Sequence, residues 1–367
     1  MRGKKVDKFF LSVVLILISL GVAMFVSASL GILAKNQKLF YSVLISQIGL
    51  GLGLGFFGMY ITQKLDYKLL RKYSLYIFLG AIILTASVFI PGLGRSHGGA
   101  QRWIDLGPVS FQPVELLKFA FVIYFASWLS WAKNKVQDFK FGILPLCIML
   151  AIIAFVLFKQ PDTKSFILIT ITGVSMLFIS GVPMKYIAGI IVSVSLVLGG
   201  LVFFTPYLRD RVETFINPSV DAKGSSYQIQ QSMIAIGGGG IFGRGYGQSI
   251  QKFSYLPEPQ GDSIFAVLGE ELGFVGSVIT ILLYVVFMLR GFRIANHAPD
   301  LFSRLLVFGI VILIGAQSFM HIASIVGVFP LTGVPLVFMS HGGTSLMIDL
   351  IAVGIILEIS KFSKKTT

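Results

Sequence analysis

The chain contains a series of apolar stretches that are long enough to cross a lipid bilayer. A transmembrane helix needs roughly 20 mostly apolar residues to cross about 30 Å of hydrocarbon. Open strands cannot satisfy their backbone in lipid, and the alternating pattern of a membrane barrel is absent. We therefore predict an all-α polytopic membrane protein, a single integral membrane domain over residues 1–367. The ten predicted spans cover residues 8–33, 39–62, 74–91, 114–132, 142–158, 164–182, 186–205, 263–289, 303–328 and 334–360.

The composition agrees with this class of protein. The chain is 55% apolar and only 13% charged, with a mean hydropathy of +0.86, whereas soluble domains are about 25% charged. The net charge of +14 would suit nucleic acid, but the cations lie in short clusters between spans, as membrane topology predicts. We therefore expect no nucleic-acid partner. The first apolar stretch is too long for a cleavable signal and leads into further spans.

The distribution of lysine and arginine predicts the orientation. Most of the 30 cationic residues fall in segments that share the side of the N-terminus, and this excess marks the cytoplasmic side. We therefore expect both termini in the cytoplasm of a bacterial cell, with the protein in its inner membrane. Residues 206–262 then form a large extracytoplasmic loop between spans seven and eight, and Gly92–Pro113 forms another on that side.

The 206–262 loop is polar and rich in glycine, unlike the rest of the chain. Loops of this length are usually functional or disordered. Its charged residues include Arg209, Arg211, Arg244 and Lys252, and it closes on Asp262 where apolar sequence resumes. Cations and an acid at a membrane surface are suited to a lipid-linked, charged substrate.

A second polar motif, Gly98–Phe119, runs from the other outer loop into the fourth span. Arg102 lies in its loop part, while Glu115 and Lys118 share one helix face. Lys118 lies about one turn inside the membrane, where a charged group normally has a partner. An internal ion pair and a substrate-facing lysine are both compatible with this pattern.

Gln160-Pro161-Asp162 separates spans five and six. Pro161 ends one helix and Asp162 can cap the next. Because Lys159 and Lys164 flank the motif, a place in an anion-binding pocket is the alternative for Asp162.

The segment 236–246 contains consecutive glycines, whose backbone amides could approach a phosphate closely. It lacks the GK[ST] ending of a nucleotide-binding loop, and no nucleotide is expected outside the cell. A flexible turn or a re-entrant segment is the alternative interpretation.

Asp262 begins the eighth span, and Glu270 and Glu271 follow two to three turns deeper. An aspartate at a helix start is usually an N-cap, but here it faces a cationic loop at a membrane boundary. Catalysis is therefore the second interpretation of Asp262. At least one of the two glutamates should pair with a cation inside the bundle.

The prolines and glycines of Phe329–Ser345 predict an interrupted helix that lines a cavity. His341, within this segment, is more typical of a hydrogen-bonding residue in the bundle than of a metal ligand. No other ligand-type residue stands at a suitable spacing nearby.

These motifs, in this order, resemble the SEDS family of membrane proteins, which includes FtsW and RodA. The resemblance rests on GGAQRWID, QPVELLKF, QPD, YQIQQSMIAIGGGGIFGRGYGQS, LPEPQGDSIFAVLGEELG and PLTGVPLVFMSHGGTSL. It covers essentially the whole chain, and QSIQKFSYLPEPQGDSIF is more similar to the FtsW branch. The chain departs from common family patterns at QGDSIF, QPDTKS and SHGG, which concerns details of the substrate.

The resemblance implies a peptidoglycan glycosyltransferase that polymerises lipid II at the outer face of the membrane during cell division or elongation. The implied partners are a class B penicillin-binding protein, which supplies the transpeptidase, and other division or elongation proteins. The family's essential aspartate falls on Asp262, and its glutamate and lysine fall on Glu115 and Lys118.

The expected chemistry is an inverting attack of an acceptor hydroxyl on a polyprenyl-pyrophosphate-linked sugar, with Asp262 as the base. The leaving pyrophosphate needs positive charge from Lys118, Arg102, Arg209, Arg211, Arg244 or a divalent cation such as Mg²⁺ or Mn²⁺. Asp262 could instead hold that metal ion. Two rival functions are a flippase for a lipid-linked precursor and a non-catalytic scaffold of the division or elongation complex.

Overall fold

The computed structural model of the chain describes residues 5–97, 100–105, 110–217 and 225–362. Most of these residues are helical. The helices are α1 (Lys8–Leu33), α2 (Gln37–Leu44), α3 (Gly55–Thr62), α4 (Tyr67–Lys72), α5 (Ser74–Ala86), α6 (Pro113–Ala132), α7 (Phe139–Lys159), α8 (Thr163–Ile179), α9 (Met184–Phe204), α10 (Pro206–Ile216), α11 (Ser225–Gly238), α12 (Gln251–Ser254), α13 (Ile264–Asn296), α14 (Leu301–Ile325) and α15 (Gly343–Ser360). A π-helical segment, Ile45–Leu54, joins α2 to α3. A 3-10 turn, Ser87–Phe89, continues α5, and another, Lys133–Lys135, follows α6.

The multi-pass helical prediction is confirmed. Within the described ranges, eight helical stretches are long and apolar enough to cross a membrane. Two shorter apolar helical stretches, α5 with its 3-10 turn and α8, coincide with two more predicted spans, 74–91 and 164–182. The count of ten spans stays a prediction. α14 and α15 form the buried centre of the bundle, whereas α9 lies at its periphery with most side chains exposed.

Both ends of the described chain meet at one end of the bundle, which we call the terminal end. Arg290 in α13 pairs with Asp7, the N-cap of α1, at 2.7 Å. The Tyr67 hydroxyl donates to Asp300 at 2.7 Å, and its ring packs edge-on against Phe362. The two chain ends therefore share one side, as predicted.

The opposite end of the bundle, which we call the distal end, gathers the loops that the sequence predicts to be extracytoplasmic. There, Arg211 of α10 donates to the carbonyl of Leu331 at 2.8 Å. The Ser340 hydroxyl donates to the carbonyl of Gly261, also at 2.8 Å. That this end faces the outside of the cell stays a prediction.

A small antiparallel sheet at the distal end adds to the predicted all-helical fold. It consists of β1 (Gly94–His97), β2 (Ala100–Asp105) and β3 (Ser110–Phe111), in that order. Ile104 of β2 pairs with both outer strands. The sheet leads into α6, which starts with a proline, a residue suited to the first helical turn. Residues 98–99 and 106–109 of this loop lie outside the described residues.

The 206–262 segment contains three helices, α10, α11 and α12. α11 packs on α13 and buries Ser232 and Ala235, and α12 packs on α1. Two of the three helices of the loop, α11 and α12, therefore pack directly on the bundle. Residues 218–224 of it lie outside the described part of the chain.

The glycine-rich segment 236–246 is a packed turn on α13. The amides of Arg244 and Gly245 both donate to carbonyls of α13, those of Glu270 and Glu271, at 3.0 Å. Because these two amides are already bonded, they are not free to bind a phosphate. Both interpretations of the segment, a phosphate-binding loop and a flexible turn or re-entrant segment, stay predictions.

α13 is kinked at Gly273, whose φ and ψ are 67° and −165°. The two amides that follow the kink are held by the same packed turn. Phe274 donates to the carbonyl of Gly240 at 2.9 Å, and Val275 to that of Ile241 at 3.1 Å. The turn therefore binds α13 on both sides of its kink.

A non-helical segment, residues 326–342, connects α14 to α15 inside the bundle. Leu336 and Val337 within it are almost fully buried. The predicted interruption over Phe329–Ser345 is confirmed. Irregular backbone at membrane depth is tolerated only where protein groups satisfy its hydrogen bonds, and this segment supplies part of the site described below.

We predict that alanine substitutions at two glycines of the packed turn destabilise the protein to different extents. A Cβ on Gly243 (φ 81°) would lie 2.1 Å from the carbonyl oxygen of Glu271. A Cβ on Gly240 (φ 55°) would have no atom within 4 Å. Gly240→Ala should cost only the left-handed backbone penalty, about 1–2 kcal/mol, and Gly243→Ala about 1–3 kcal/mol more from the clash.

Thermal unfolding of the detergent-solubilised variants measures this difference. Equal melting temperatures for the two alanine variants would contradict the close packing of the turn on α13.

Candidate active site

Asp262 lies at the distal end, just before the first residues of α13. The N-cap position belongs to Ser263, and its side chain forms no capping hydrogen bond. Asp262 is half-buried, and among the described residues no group donates a hydrogen bond to its carboxylate. The capping role considered for Asp262 is thus not realised, and the carboxylate is available to a ligand.

Lys164, at the start of α8, is the cation beside Asp262. A Cβ placed on Gly333 would lie 2.9 Å from Asp262 Oδ2 and 3.8 Å from Lys164 Nζ. The ammonium group of Lys164 donates a hydrogen bond to the carbonyl of Gly333. Because Gly333 has no side chain, the Asp262 carboxylate and the Lys164 ammonium group can both lie close to its Cα.

His321 in α14 faces the same region. Its Nδ1 lies 2.7 Å from the carbonyl oxygen of Val334, and because a carbonyl only accepts, Nδ1 carries the proton. Its Nε2 is buried and has no partner among the described residues. Asp262 and Lys164 both lie within electrostatic range of the ring. The site thus contains an unused imidazole nitrogen.

Asp162 and Arg102 are two further charged residues near Lys164. Asp162 is fully buried and caps α8 by accepting hydrogen bonds from the Ser165 amide (3.3 Å) and hydroxyl (2.8 Å). Arg102 donates to the carbonyl of Gln160 at 3.0 Å. The capping interpretation of Asp162 is confirmed, and both charged groups lie within electrostatic range of Lys164.

Glu115 and Lys118 form the internal ion pair that their spacing predicts, at 2.9 Å. Lys118 also donates to Gln317 Oε1 at 2.6 Å, and Ser345 donates to Glu115 at 2.9 Å. Both charged side chains are almost fully buried. Lys118 is thus held inside the bundle, and its role towards a substrate stays a prediction.

Four side chains bind a row of backbone carbonyls in the non-helical segment, which we call the carbonyl row. Arg211 donates to Leu331 (2.8 Å), Lys164 to Gly333, His321 to Val334 (2.7 Å) and Gln317 to Pro335 (3.3 Å). Of the predicted loop cations, Arg211 is the one that this row brings towards Asp262.

The other predicted cations lie elsewhere. Arg209 donates to the carbonyl of Phe203, at the end of α9, at 2.7 Å and is exposed. Arg244 lies 3.5 Å from the Glu270 carboxylate. Their substrate-binding roles stay predictions.

Lys252 is buried in an ion pair with Glu271 at 2.7 Å and also donates to Ser27 of α1. The expected pairing of the glutamates with cations is therefore confirmed. Lys252 therefore links α12 to α1 and α13. The predicted role of Lys252 in substrate binding stays a prediction.

His321 is absent from the sequence-based set, and Lys164 enters it only as a neighbour of Asp162. One signal was present: Gln317 and His321 are four residues apart in an otherwise apolar helix, so they share a face. Polar residues on one face of a span indicate a polar interior.

The residues around Asp262 do not form a metal site of their own. Among the described residues there is no group of three or more His, Cys, Asp or Glu placed to hold a metal ion. A divalent cation would need donors from the substrate in addition to Asp262.

The absence of a side chain at Gly333 predicts a sharp effect of one methyl group. Gly333→Ala should reduce the lipid II polymerisation implied by the family resemblance by about 10²-fold, because its Cβ would displace the Asp262 carboxylate. Gly327→Ala is the matched control, since its φ of 74° is similar and its Cβ would meet only the flexible end of Met233. Equal activity of the two variants at equal folded concentration would contradict the proposed position of the site.

Comparison with known proteins is consistent with this geometry. The family model for cell cycle proteins of the FtsW, RodA and SpoVE type matches residues 7–365. A probable peptidoglycan glycosyltransferase FtsW of Geobacter sulfurreducens is 38% identical over 361 residues, covering 97% of this chain and 96% of the relative. Stage V sporulation protein E of Bacillus subtilis is 36% identical, covering 98% of each chain.

Solved structures share the fold. A chain from the structure of a peptidoglycan synthase complex that coordinates polymerisation and crosslinking aligns with a TM-score of 0.80 and 26% identity, covering 97% of each chain. The crystal structure of the rod shape determining protein RodA of Thermus thermophilus aligns with a TM-score of 0.71 and 24% identity, covering 98% of each chain. With a full-length family match and relatives of this similarity, the chain belongs to the FtsW/RodA/SpoVE family.

Proposed function

We propose that this protein is a peptidoglycan glycosyltransferase that polymerises lipid II at the outer face of the bacterial inner membrane. Relatives along its whole length are named as probable enzymes of this kind. The observation that carries the proposal is an available carboxylate, Asp262, next to Lys164 and an unpartnered imidazole nitrogen of His321. These groups lie at the bundle end opposite both termini.

Asp262 is the proposed base. An acceptor sugar hydroxyl attacks the anomeric carbon of a sugar on polyprenyl pyrophosphate, and Asp262 takes the hydroxyl proton. The bond from the anomeric carbon to the pyrophosphate oxygen breaks, and the pyrophosphate leaves with the electron pair. Because the attack is direct, the anomeric configuration inverts. Pyrophosphate is a good leaving group, so the protonating carboxyl of a glycosidase is not required.

Lys164 is the proposed partner of the leaving group. Its ammonium group lies beside Asp262 and uses one of its three protons on the Gly333 carbonyl. The remaining donors can meet the charge that develops on pyrophosphate, which is the usual source of large rate effects in such sites. Arg102 and Arg211 add positive charge at the rim. A divalent cation, if the reaction uses one, would be held jointly by Asp262 and the pyrophosphate.

His321 is proposed to orient the acceptor. With Nδ1 donating to Val334, its Nε2 offers a lone pair inside the site. A sugar hydroxyl that donates to this nitrogen would be held near the carboxylate. The imidazole would in this way position the substrate without exchanging a proton.

The protein is proposed to work together with a class B penicillin-binding protein. The support is its structural likeness to a chain of a synthase complex that joins polymerisation and crosslinking. A role in division is favoured by the relatives named FtsW, and elongation is the alternative. Lipid II itself and the other division or elongation proteins are inferred from the same family membership.

Replacement of Asp262 by asparagine should remove the base while preserving shape. We expect Asp262→Asn to lower the polymerisation rate of purified lipid II by about 10²–10⁴-fold, measured with the transpeptidase partner bound and with or without divalent cation. Asp210→Asn is the control, because Asp210 is an exposed carboxylate on α10 of the same segment.

The same assay separates the rival functions. Undiminished polymer from a folded Asp262→Asn protein would overturn the assigned base. Polymer from neither the wild type nor the variant, with the partner shown to be bound, would favour the flippase or the scaffold.

Replacement of Lys164 tests the second half of the site. Lys164→Gln keeps a donor for the Gly333 carbonyl but removes the charge, so kcat/KM for lipid II should fall by about 10²–10³-fold. Lys159→Gln, which removes an exposed charge at the other side of the same turn, should leave it within about twofold. Equal effects of the two changes would show that Lys164 acts only through general surface charge.

A further inference from the structure

A second cavity lies at the terminal end of the bundle, at the opposite end of α6 from Glu115 and Lys118. It has a volume of about 540 Å³ and opens between α4 and the last turns of α6. The residues that matter to its chemistry are three cations and three aromatic residues, namely Lys68, Arg71, Lys72, Tyr124, Trp128 and Trp131. The cavity is separate from the Asp262 site and has no part in the reaction proposed above.

The three cations of this cavity have no ion-pair partner among the described residues. None of its lining residues is acidic, and in the described ranges none of the three cations forms an ion pair. Arg71 and Lys72 instead lie near aromatic rings, those of Phe302 (6.0 Å) and Tyr73 (5.3 Å). The carboxylate of Asp66 caps the same helix by accepting from the Lys68 amide at 2.9 Å. The cations of α4 still outnumber this one carboxylate, and such an excess of positive charge favours an anionic ligand.

The aromatic residues place the cavity at the level of lipid headgroups. Trp128 is fixed by a hydrogen bond from Nε1 to the carbonyl of Phe141 at 2.9 Å. Trp131 lies against it, with ring centroids 5.2 Å apart, and is 62% exposed. Tryptophan is enriched at membrane–water interfaces, where one side of the ring is apolar and the other is wet.

The helix that follows α4 carries exposed apolar side chains. α5 begins two residues after α4, and it exposes Leu75, Tyr76 and Leu79. These side chains can pack against acyl chains that run from the interface into the bilayer. A soluble anion would use the cations but would leave this apolar surface unused.

We propose that this cavity binds an anionic phospholipid of the inner leaflet, with its headgroup phosphate on Lys68, Arg71 and Lys72. The glycerol region lies against Trp131, and the acyl chains follow α5. Basic pockets between transmembrane helices on the cytoplasmic side are known to bind such headgroups. The terminal end is the predicted cytoplasmic side, so the charge of the inner leaflet also matches.

The test measures lipid binding to the full-length protein in detergent by native mass spectrometry. Phosphatidylglycerol and cardiolipin are the anionic probes, phosphatidylcholine is the neutral probe, and glycerol phosphate is the soluble competitor. The triple variant Lys68→Gln, Arg71→Gln, Lys72→Gln should raise the apparent Kd for the anionic lipids at least about tenfold. The Kd for phosphatidylcholine should stay within about twofold of the wild-type value.

A triple variant with the same loss of charge provides the control. Lys8, Lys64 and Lys185 are exposed lysines on the terminal side that do not line the cavity. Their replacement by glutamine should change the Kd for anionic lipids by no more than about twofold. Melting temperatures verify that both triple variants are folded.

Three results would overturn the proposal. Equal weakening by the two triple variants would show general surface attraction, and no weakening by the cavity variant would show that the cavity is not the site. Displacement of the anionic lipid by glycerol phosphate at equal concentration would show a site for soluble phosphates. A second readout uses phosphatidylglycerol with brominated chains, which should quench tryptophan fluorescence in the wild type more than in a Trp131→Leu variant.

Discussion

The candidate site depends on the hydrogen bonds that satisfy the carbonyl row. A non-helical segment inside a transmembrane bundle leaves backbone carbonyls without helical partners. Each carbonyl that stays unpaired there destabilises the fold by roughly several kcal/mol. Here side chains from α8, α10 and α14 donate to them. Two of these donors, Lys164 and His321, lie near Asp262, so the hydrogen bonds that stabilise the interrupted helix also bring functional groups of the site together. Loss of one donor would affect both the stability of the interrupted helix and the geometry of the candidate site.

The sequence predicts the features that depend on neighbouring residues along the chain. The apolar spans, the ion pair between Glu115 and Lys118, and the cap at Asp162 all follow from local spacing, and the structure contains them. Lys164 and His321 could not be placed beside Asp262 in this way, because their contacts join residues far apart in sequence. The sheet β1–β3 was missed for a related reason, since short paired segments in a polar loop carry no long periodic pattern.

The loop cations show the limit of composition as a guide. The predicted anion-binding residues of the 206–262 segment, Arg209, Arg211, Arg244 and Lys252, are equivalent when only the sequence is considered. In the folded chain, Lys252 is buried against Glu271, because a charge in a low-dielectric interior must be paired. Arg211 instead reaches the carbonyl row. The partition between structural and ligand-facing cations is therefore decided by depth, which the sequence of a loop does not give.

The kink of α13 at Gly273 has a mechanical consequence. Hydrogen bonds from the turn 240–245 fasten the helix on both sides of the kink, so the first turns of α13 cannot slide past their neighbours. The remaining part of α13 exposes some large apolar side chains, among them Phe274, Leu282 and Leu289, and extends to the other end of the bundle. The same turn holds residues on both sides of Gly273, so it also fixes the angle of the kink. A protein that bound this exposed stretch would therefore tilt α13 as one body, and Asp262 would tilt with its first turn.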